Sequence, residues 1–353
     1  MRRQAPIVTL VCFSSVLYAA CAPPGNDGGN PAPADRVVTI GDLPWPEVDA
    51  LDRNRTLVLL TVGMLEEHGP HLPIATDTIG VEHETRGVAA RLSQSLPDWN
   101  VVVMPTVHYG SSGANQIGNI AVHPGTYAIR QSTLRALVAD IGAQLAQNRF
   151  KWIFVLDGHG APTHHMAVNE ASDFVSQEFK ITMANISGLF NADAGIQEKG
   201  AAITARFYSP ADIASFGRDN HAGVGETSAV LAVRPDLVRS SYRSLPSYRV
   251  ETLRETRETA LKPGWPGYFS SPGRADAAYG REVETWWIEN MTDLILQAVR
   301  GTDLSSRPRW PGPLQNDPAF AEVFESAMAP DREFQLALAR WLDAQKPSQP
   351  DPR

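Results

Sequence analysis

Leu57-Val58-Leu59-Leu60-Thr61-Val62 runs straight into Gly63-Met64-Leu65-Glu66-Glu67-His68-Gly69-Pro70-His71-Leu72-Pro73-Ile74-Ala75-Thr76-Asp77. The first six residues read as a strand buried on both faces, since a parallel sheet covered by helices shows neither side to water. The chain then leaves the sheet carrying two carboxylates and two imidazoles within three residues on each side of Gly69-Pro70. Open α/β sheets collect their ligands beyond the carboxyl ends of the strands. A mixture of carboxylate oxygen and imidazole nitrogen is a donor set for hard or borderline divalent metals. Glu66 and His68 are two apart, so an extended backbone turns both to one side. Asp77 follows a turn stiffened by Pro70 and Pro73, just before a helical pattern begins. A polar loop with ordinary capping residues is the plainer alternative, but a loop this short seldom gathers Glu, His, His and Asp by chance.

Working outward, the chain alternates strand and helix patterns. Val37 to Ile40 leads in, and Leu43-Pro44-Trp45-Pro46 marks a short entry segment. Thr78 to Leu96 reads as a helix, Val101 to Met104 as a strand and Tyr127 to Asn148 as a helix. A Gly-rich loop over Tyr109 to Gly113 and His123 to Thr126 precedes that second helix. Trp152 to Leu156 is a third strand, Thr163 to Phe179 a helix and Ile181 to Ala184 a fourth strand. Short connections between alternating elements predict an α/β fold, a mostly parallel central sheet with helices on both faces. Residues 186–220 and 240–275 read as irregular, and a long irregular stretch is usually functional. Ala229 to Val233 reads as a short helix and Ala277 to Val299 as a long one, with Trp286-Trp287 as core or subunit contact.

The third strand also ends in an imidazole, Asp157-Gly158-His159-Gly160. Neighbouring parallel strands would bring His159 to Glu66, His68 and Asp77, and the flanking glycines leave room for a sharp turn and a close metal. A histidine satisfied by a hydrogen bond in a tight turn is the alternative. His164 and His165 open the next helix and read as a solvated first turn. His123 is uninformative on sequence alone.

The run Glu66-Glu67-His68-Gly69-Pro70-His71-Leu72-Pro73, with Thr76-Asp77, resembles the first signature of the creatininase family of metal-dependent amidohydrolases. His221-Ala222-Gly223 with Glu226-Thr227-Ser228 is similar to a later signature, and the likeness spans residues 40 to 300. The resemblance implies a creatininase-like three-layer fold and two divalent ions (Zn, Mn or Fe) bridged by Asp77. Glu66 and His159 would complete one ion's ligands; His68 and a further carboxylate would complete the other's. His221 would protonate the leaving group or stabilise a tetrahedral intermediate. Glu226 would ligate the second ion, act as base or orient His221; as first-turn helix chemistry it needs no such role. His71 is assigned to substrate binding, with a loop hydrogen bond as the alternative. Two departures stand out: Asp157 replaces an Asn of the family, and Ala161 stands where creatininase itself has a metal-binding Glu. Residues 186–220 also show no match to the creatinine-binding tryptophans.

The implied activity is hydrolysis of a small polar substrate, a cyclic amide or other C–N bond, through a metal-bound hydroxide. C–C hydrolysis of a cyclic ketone is an alternative, as is a catalytically silent ligand-binding lipoprotein of the same fold. A metallophosphoesterase would need an Asn-His pair with an acidic neighbour, which the sequence does not offer. A homo-oligomer is expected.

The chain has 353 residues, 43% hydrophobic and 20% charged, with a net charge of −8 and no basic run beyond Arg2-Arg3. Nucleic acid is therefore excluded as a partner. Arg2-Arg3, the apolar stretch Ile7 to Leu17 and Leu17-Tyr18-Ala19-Ala20-Cys21 read as a signal peptide over 1–20 ending at a lipobox. Plain secretory cleavage after Ala20 is the alternative. Cys12 and Cys21 are the only cysteines, so a mature chain beginning at Cys21 forms no internal disulfide. Residues 21–36 form a Pro/Gly/Asn-rich flexible tether, 37–300 the hydrolase domain, and 301–353 a Pro-rich C-terminal extension with an amphipathic stretch at Phe334 to Leu342. The expected location is outside the cytoplasm, periplasmic or membrane-anchored through a lipidated Cys21.

Overall fold

The computed structural model describes residues 36–113, 123–312 and 318–345. The leader expected over 1–20, nearly all of the tether and the middle of the Gly-rich loop lie outside them.

Five strands form one sheet: β1 (Val37–Thr39), β2 (Thr56–Val62), β3 (Asn100–Val103), β4 (Trp152–Asp157) and β5 (Thr182–Asn185). Their order is β1-β3-β2-β4-β5, and every pairing is parallel. The two-residue alternation of a strand sorts its side chains between two cores. Leu57 and Leu59 of β2, with Phe154 and Leu156 of β4, enter one; Val58, Leu60 and Val62, with Ile153 and Val155, enter the other. All seven residues of β2 are buried. At roughly 1.5–3 kcal/mol for each fully buried large aliphatic side chain, β2 is the main apolar anchor of the sheet.

The first core is closed by α2 (Thr76–Ser95), α5 (Ile186–Ala192), α6 (Ala194–Phe207) and α10 (Ala277–Val299), the second by α3 (Gln131–Gln147) and α4 (Pro162–Phe179). The three-layer α/β architecture expected from the sequence is therefore the observed one. α1 (Trp45–Ala50) begins at the entry segment, with Pro46 in its first turn.

Several expectations are corrected. Residues 186–220 are not irregular: they form α5, α6 and α7 (Pro210–Phe216), capped by the side chains of Asn185, Asp193 and Ser209. Residues 240–275 include α9 (Leu253–Ala260), which Thr252 caps. α3 starts at Gln131 rather than Tyr127, because Arg130 is still extended. The helix read as Ala229 to Val233 is α8 (Val224–Val233), which takes Glu226 into its first turn. The C-terminal extension carries α11 (Pro318–Ala344). Trp286 and Trp287 pack on Phe190, the latter stacked at 4.1 Å, as core residues. Among the described residues no helix is long and apolar enough to cross a membrane.

Candidate metal centre

β2 lies between β3 and β4; the chain runs on from β2 to β3 on one side and from β4 to β5 on the other, so the strand order reverses between β2 and β4. That switch point opens a crevice above the carboxyl ends of β2 and β4. The loop after β2 supplies Glu66, Glu67 and His68, the first turn of α2 supplies Asp77, and the turn after β4 supplies His159. Gly158 is required at that turn, since a Cβ there would sit 2.5 Å from the Asp77 carbonyl oxygen. Space does not demand Gly160, where a Cβ would meet nothing within 4 Å.

The four residues expected to ligate metal come together. Asp77 Oδ1 lies 3.2 Å from His68 Nε2, and Asp77 Oδ2 lies 3.0 Å from His159 Nδ1. Glu66 Oε2 is 3.2 Å from the same His159 nitrogen. Glu226 Oε2 stands 3.5 Å from His68 Nε2. Two groups of potential ligands result, Glu66–Asp77–His159 and His68–Asp77–Glu226, with Asp77 in both; a third joins Glu66, His68 and His221.

The hydrogen bonds on the far side of each ring fix what the near side offers. His68 Nδ1 is 3.0 Å from the Glu66 carbonyl, and His159 Nε2 is 2.6 Å from the Ser112 carbonyl. A carbonyl only accepts, so each of those nitrogens carries a hydrogen. In the neutral rings the inward nitrogens are then bare lone pairs, aimed at carboxylate oxygens. His68 Nε2 and Asp77 Oδ2 have no hydrogen-bond partner although both are buried. Lone pairs facing carboxylates in a buried site call for a cation, a proton on each ring or a metal ion. The donor set therefore fits divalent metal. Without metal the proton fills the gap. Burial works against a charged His68, but Asp77 and Glu226 outweigh it and push the ring up to about 10. Burial likewise opposes charge on Asp77, yet His68 and His159 hold it well below the usual carboxylate range.

The His221 ring lies tilted against His68, centroids 4.4 Å apart, with Nδ1 3.8 Å from Glu66 Oε1 and Nε2 3.5 Å from Glu67 Oε1. Ala222, at φ 49°, donates its N–H to Glu226. Asp219 Oδ1 and Oδ2 accept the N–H groups of Val224 and Gly225, which fixes the first turn of α8. His71 is fully buried, with Nε2 2.9 Å from Thr227 Oγ1, and burial lowers it to about 4. That places it behind the helix carrying Glu226.

Sequence reasoning assigned no role to three features. Glu67 is 4% exposed and faces His221; its Oε2 accepts the Gly69 N–H at 3.0 Å. Trp265, also buried, has its ring 6.1 Å from that of His221. His123 reaches the Trp265 carbonyl at 2.7 Å, which ties the Gly-rich loop to this wall. An alternating-strand rule would turn Glu67 away from Glu66, and only the fold of the loop brings it back. The solvated first turn expected for His164 and His165 is wrong: both are fully buried around Asp157.

The creatinine amidohydrolase family model matches residues 41–295. A curated protein of Mycobacterium ulcerans named mycofactocin precursor peptide peptidase is 27% identical over 277 residues, 76% of this chain and 96% of that one. A creatinine amidohydrolase of Pseudomonas putida is 27% identical over 271 residues, 73% of this chain and 96% of that one. A solved mutant creatininase of Zn-Zn type superposes with a TM-score of 0.56 at 25% identity, covering 74% of this chain and 98% of that one. Fold and site together define a metal-dependent hydrolase. The chain belongs to the creatininase family.

Proposed function

We propose that this protein hydrolyses the C–N bond of an amide in a small polar substrate, with two divalent ions held by Glu66, Asp77 and His159 on one side and His68, Asp77 and Glu226 on the other. The observation that carries the reading is Asp77, whose two oxygens face two histidine lone pairs from two different strand ends. Bound ions of this kind make water acidic enough to attack at neutral pH and polarise a carbonyl oxygen. The chain's own residues supply the rest. Glu67 orients His221 through Nε2, leaving the imidazole above Glu66 and His68 to hand a proton to the leaving nitrogen. The side chain of Glu226 is 39% exposed, so it borders the open side where substrate enters. His71 supports substrate binding through Thr227, on the same helix as Glu226.

The names of both curated relatives denote cleavage of an amide bond, one in a ring and one in a peptide, and this supports the C–N reading over the C–C one. The test is a panel of lactams, cyclic ureas and short peptides with metal-loaded protein. Amine or carboxylate release that disappears in His221→Ala supports the reading. Turnover of cyclic ketones alone would replace it.

From the sequence of residues 1–36 we infer an exported chain anchored through lipidated Cys21. Membrane fractionation checks this: Cys21→Ala should shift the protein to the soluble fraction.

A further inference from the structure

The turn that carries His159 is backed by one buried side chain to which its supports converge. His164 sits in the first turn of α4, fully buried. Its Nδ1 accepts the backbone N–H of Ser111 at 3.1 Å. A ring nitrogen that accepts a backbone N–H carries no hydrogen, so His164 is the neutral tautomer with its proton on Nε2. Nε2 lies 3.1 Å from Asp157 Oδ1, an electrostatic contact between an N–H and a carboxylate that lacks the alignment of a hydrogen bond. The same oxygen accepts the backbone N–H of His159 at 3.1 Å. Ser111 is followed by Ser112, whose carbonyl receives His159 Nε2. Both hydrogen bonds that orient His159 therefore lead back to His164, one through Asp157 and one through Ser111-Ser112. The two rings meet edge to face at 5.0 Å. The loop closes tightly over this residue: a Cβ on Gly110 would come within 2.5 Å of the His164 ring.

We propose that His164 is a positioning residue, fixing the His159 ring toward Glu66 and Asp77 and so setting the affinity of the site for the ion at that end. This rests on the two-ion reading above. The other oxygen of Asp157 makes the idea separable from simple core packing. Asp157 Oδ2 has no hydrogen-bond partner and faces His165 Nδ1 at 3.4 Å. Asn185 Oδ1 accepts the Gly188 N–H, so its amide nitrogen is what approaches His165 Nδ1, at 3.2 Å. That ring nitrogen is thus an acceptor, and two lone pairs face each other across 3.4 Å. An amide at position 157 would keep the oxygen that serves His159 and His164. It would also place a donor where the carboxylate has none.

The experiment is zinc competition against a chromophoric chelator on the full chain, resolving two dissociation constants, with a thermal melt of each variant. His164→Phe keeps a ring but removes both polar contacts. It should weaken one ion by about 10–100-fold, the usual cost of losing an outer partner of a ligating histidine, and leave the other nearly unchanged. Asp157→Asn should leave both constants within about threefold, because its oxygen still holds the His159 turn. Should His164→Phe fail to fold, Asp157→Asn and Asp157→Ala carry the test, with selective weakening expected only in the alanine variant. Two unchanged constants in His164→Phe, or both weakened together with the melting temperature, would overturn the proposal. So would tenfold selective weakening in Asp157→Asn. Wild-type protein that takes up no zinc would instead sink the two-ion reading on which it rests.

Discussion

Asp77 and Glu226 show how much single residues can carry here. Ala161 has no donor atom, so the turn after His159 offers the second ion no carboxylate. Glu226 is the carboxylate proposed for that role, 3.5 Å from His68 Nε2 and partly open to solvent. Glu226→Gln should therefore release one ion first under mild chelation while the ion near His159 stays; paired metal analysis and chelator titration read this out, and simultaneous loss of both ions would argue otherwise. Creatinine turnover should be negligible, because residues 186–220 contain no tryptophan and the aromatic wall near His221 is Trp265. A steady-state assay of ammonia-free creatine formation checks that. The ligand set was legible because Glu66, His68, Asp77 and His159 all lie next to apolar strand ends or a helix start. Glu67 and the buried pair His164 and His165 were not, because their roles depend on which loop covers them, and no local pattern encodes that.

At the scale of elements, α2 and α10 bury an acid pair that the site does not use. Glu84 and Glu284 are 6% and 5% exposed, and each has an oxygen without a hydrogen-bond partner. Burial, Glu284 and Asp157 push Glu84 well above the ordinary range, and burial lifts Glu284 to about 8. A raised folded-state pKa means that the native protein binds more protons than the unfolded chain between the ordinary value of 4.5 and about 8. Stability is then highest at the acid end of that window and falls as pH rises through it, by up to about 1.4 kcal/mol per pH unit for each excess proton. Glu284→Gln should flatten this slope and raise the melting temperature at pH 9; denaturation curves at pH 6 and 9 decide it, and an unchanged slope would mean that the pair is hydrated. The element most poorly read from sequence was α6. It buries only Ile196, so it has almost no apolar period to detect. Its start was nonetheless written in the capping residue Asp193, just as α7 begins with the Ser209–Asp212 capping box.

For the molecule as a whole, the strand order β1-β3-β2-β4-β5 came only from the structure, whereas the parallel sheet with helices on both faces followed from the alternating grammar and short connections. The C-terminal extension could not be placed that way. It lies beyond the family match, yet Trp310 donates Nε1–H to the Gly160 carbonyl and its backbone N–H to Gly188, while Asn169 donates to its carbonyl. Asp331 of α11 accepts from Ser132 at the start of α3. A chain ending at residue 300 should melt on the order of 5 °C lower, given the few kcal/mol these contacts hold. An unchanged melting temperature would make the extension a passenger. The central claim is that two ions share one carboxylate, and metal stoichiometry by elemental analysis of Asp77→Ala against wild type tests it most directly. The expected result is two ions per chain falling to nearly none, with Glu226→Gln intermediate. Full metal content retained in Asp77→Ala would contradict it.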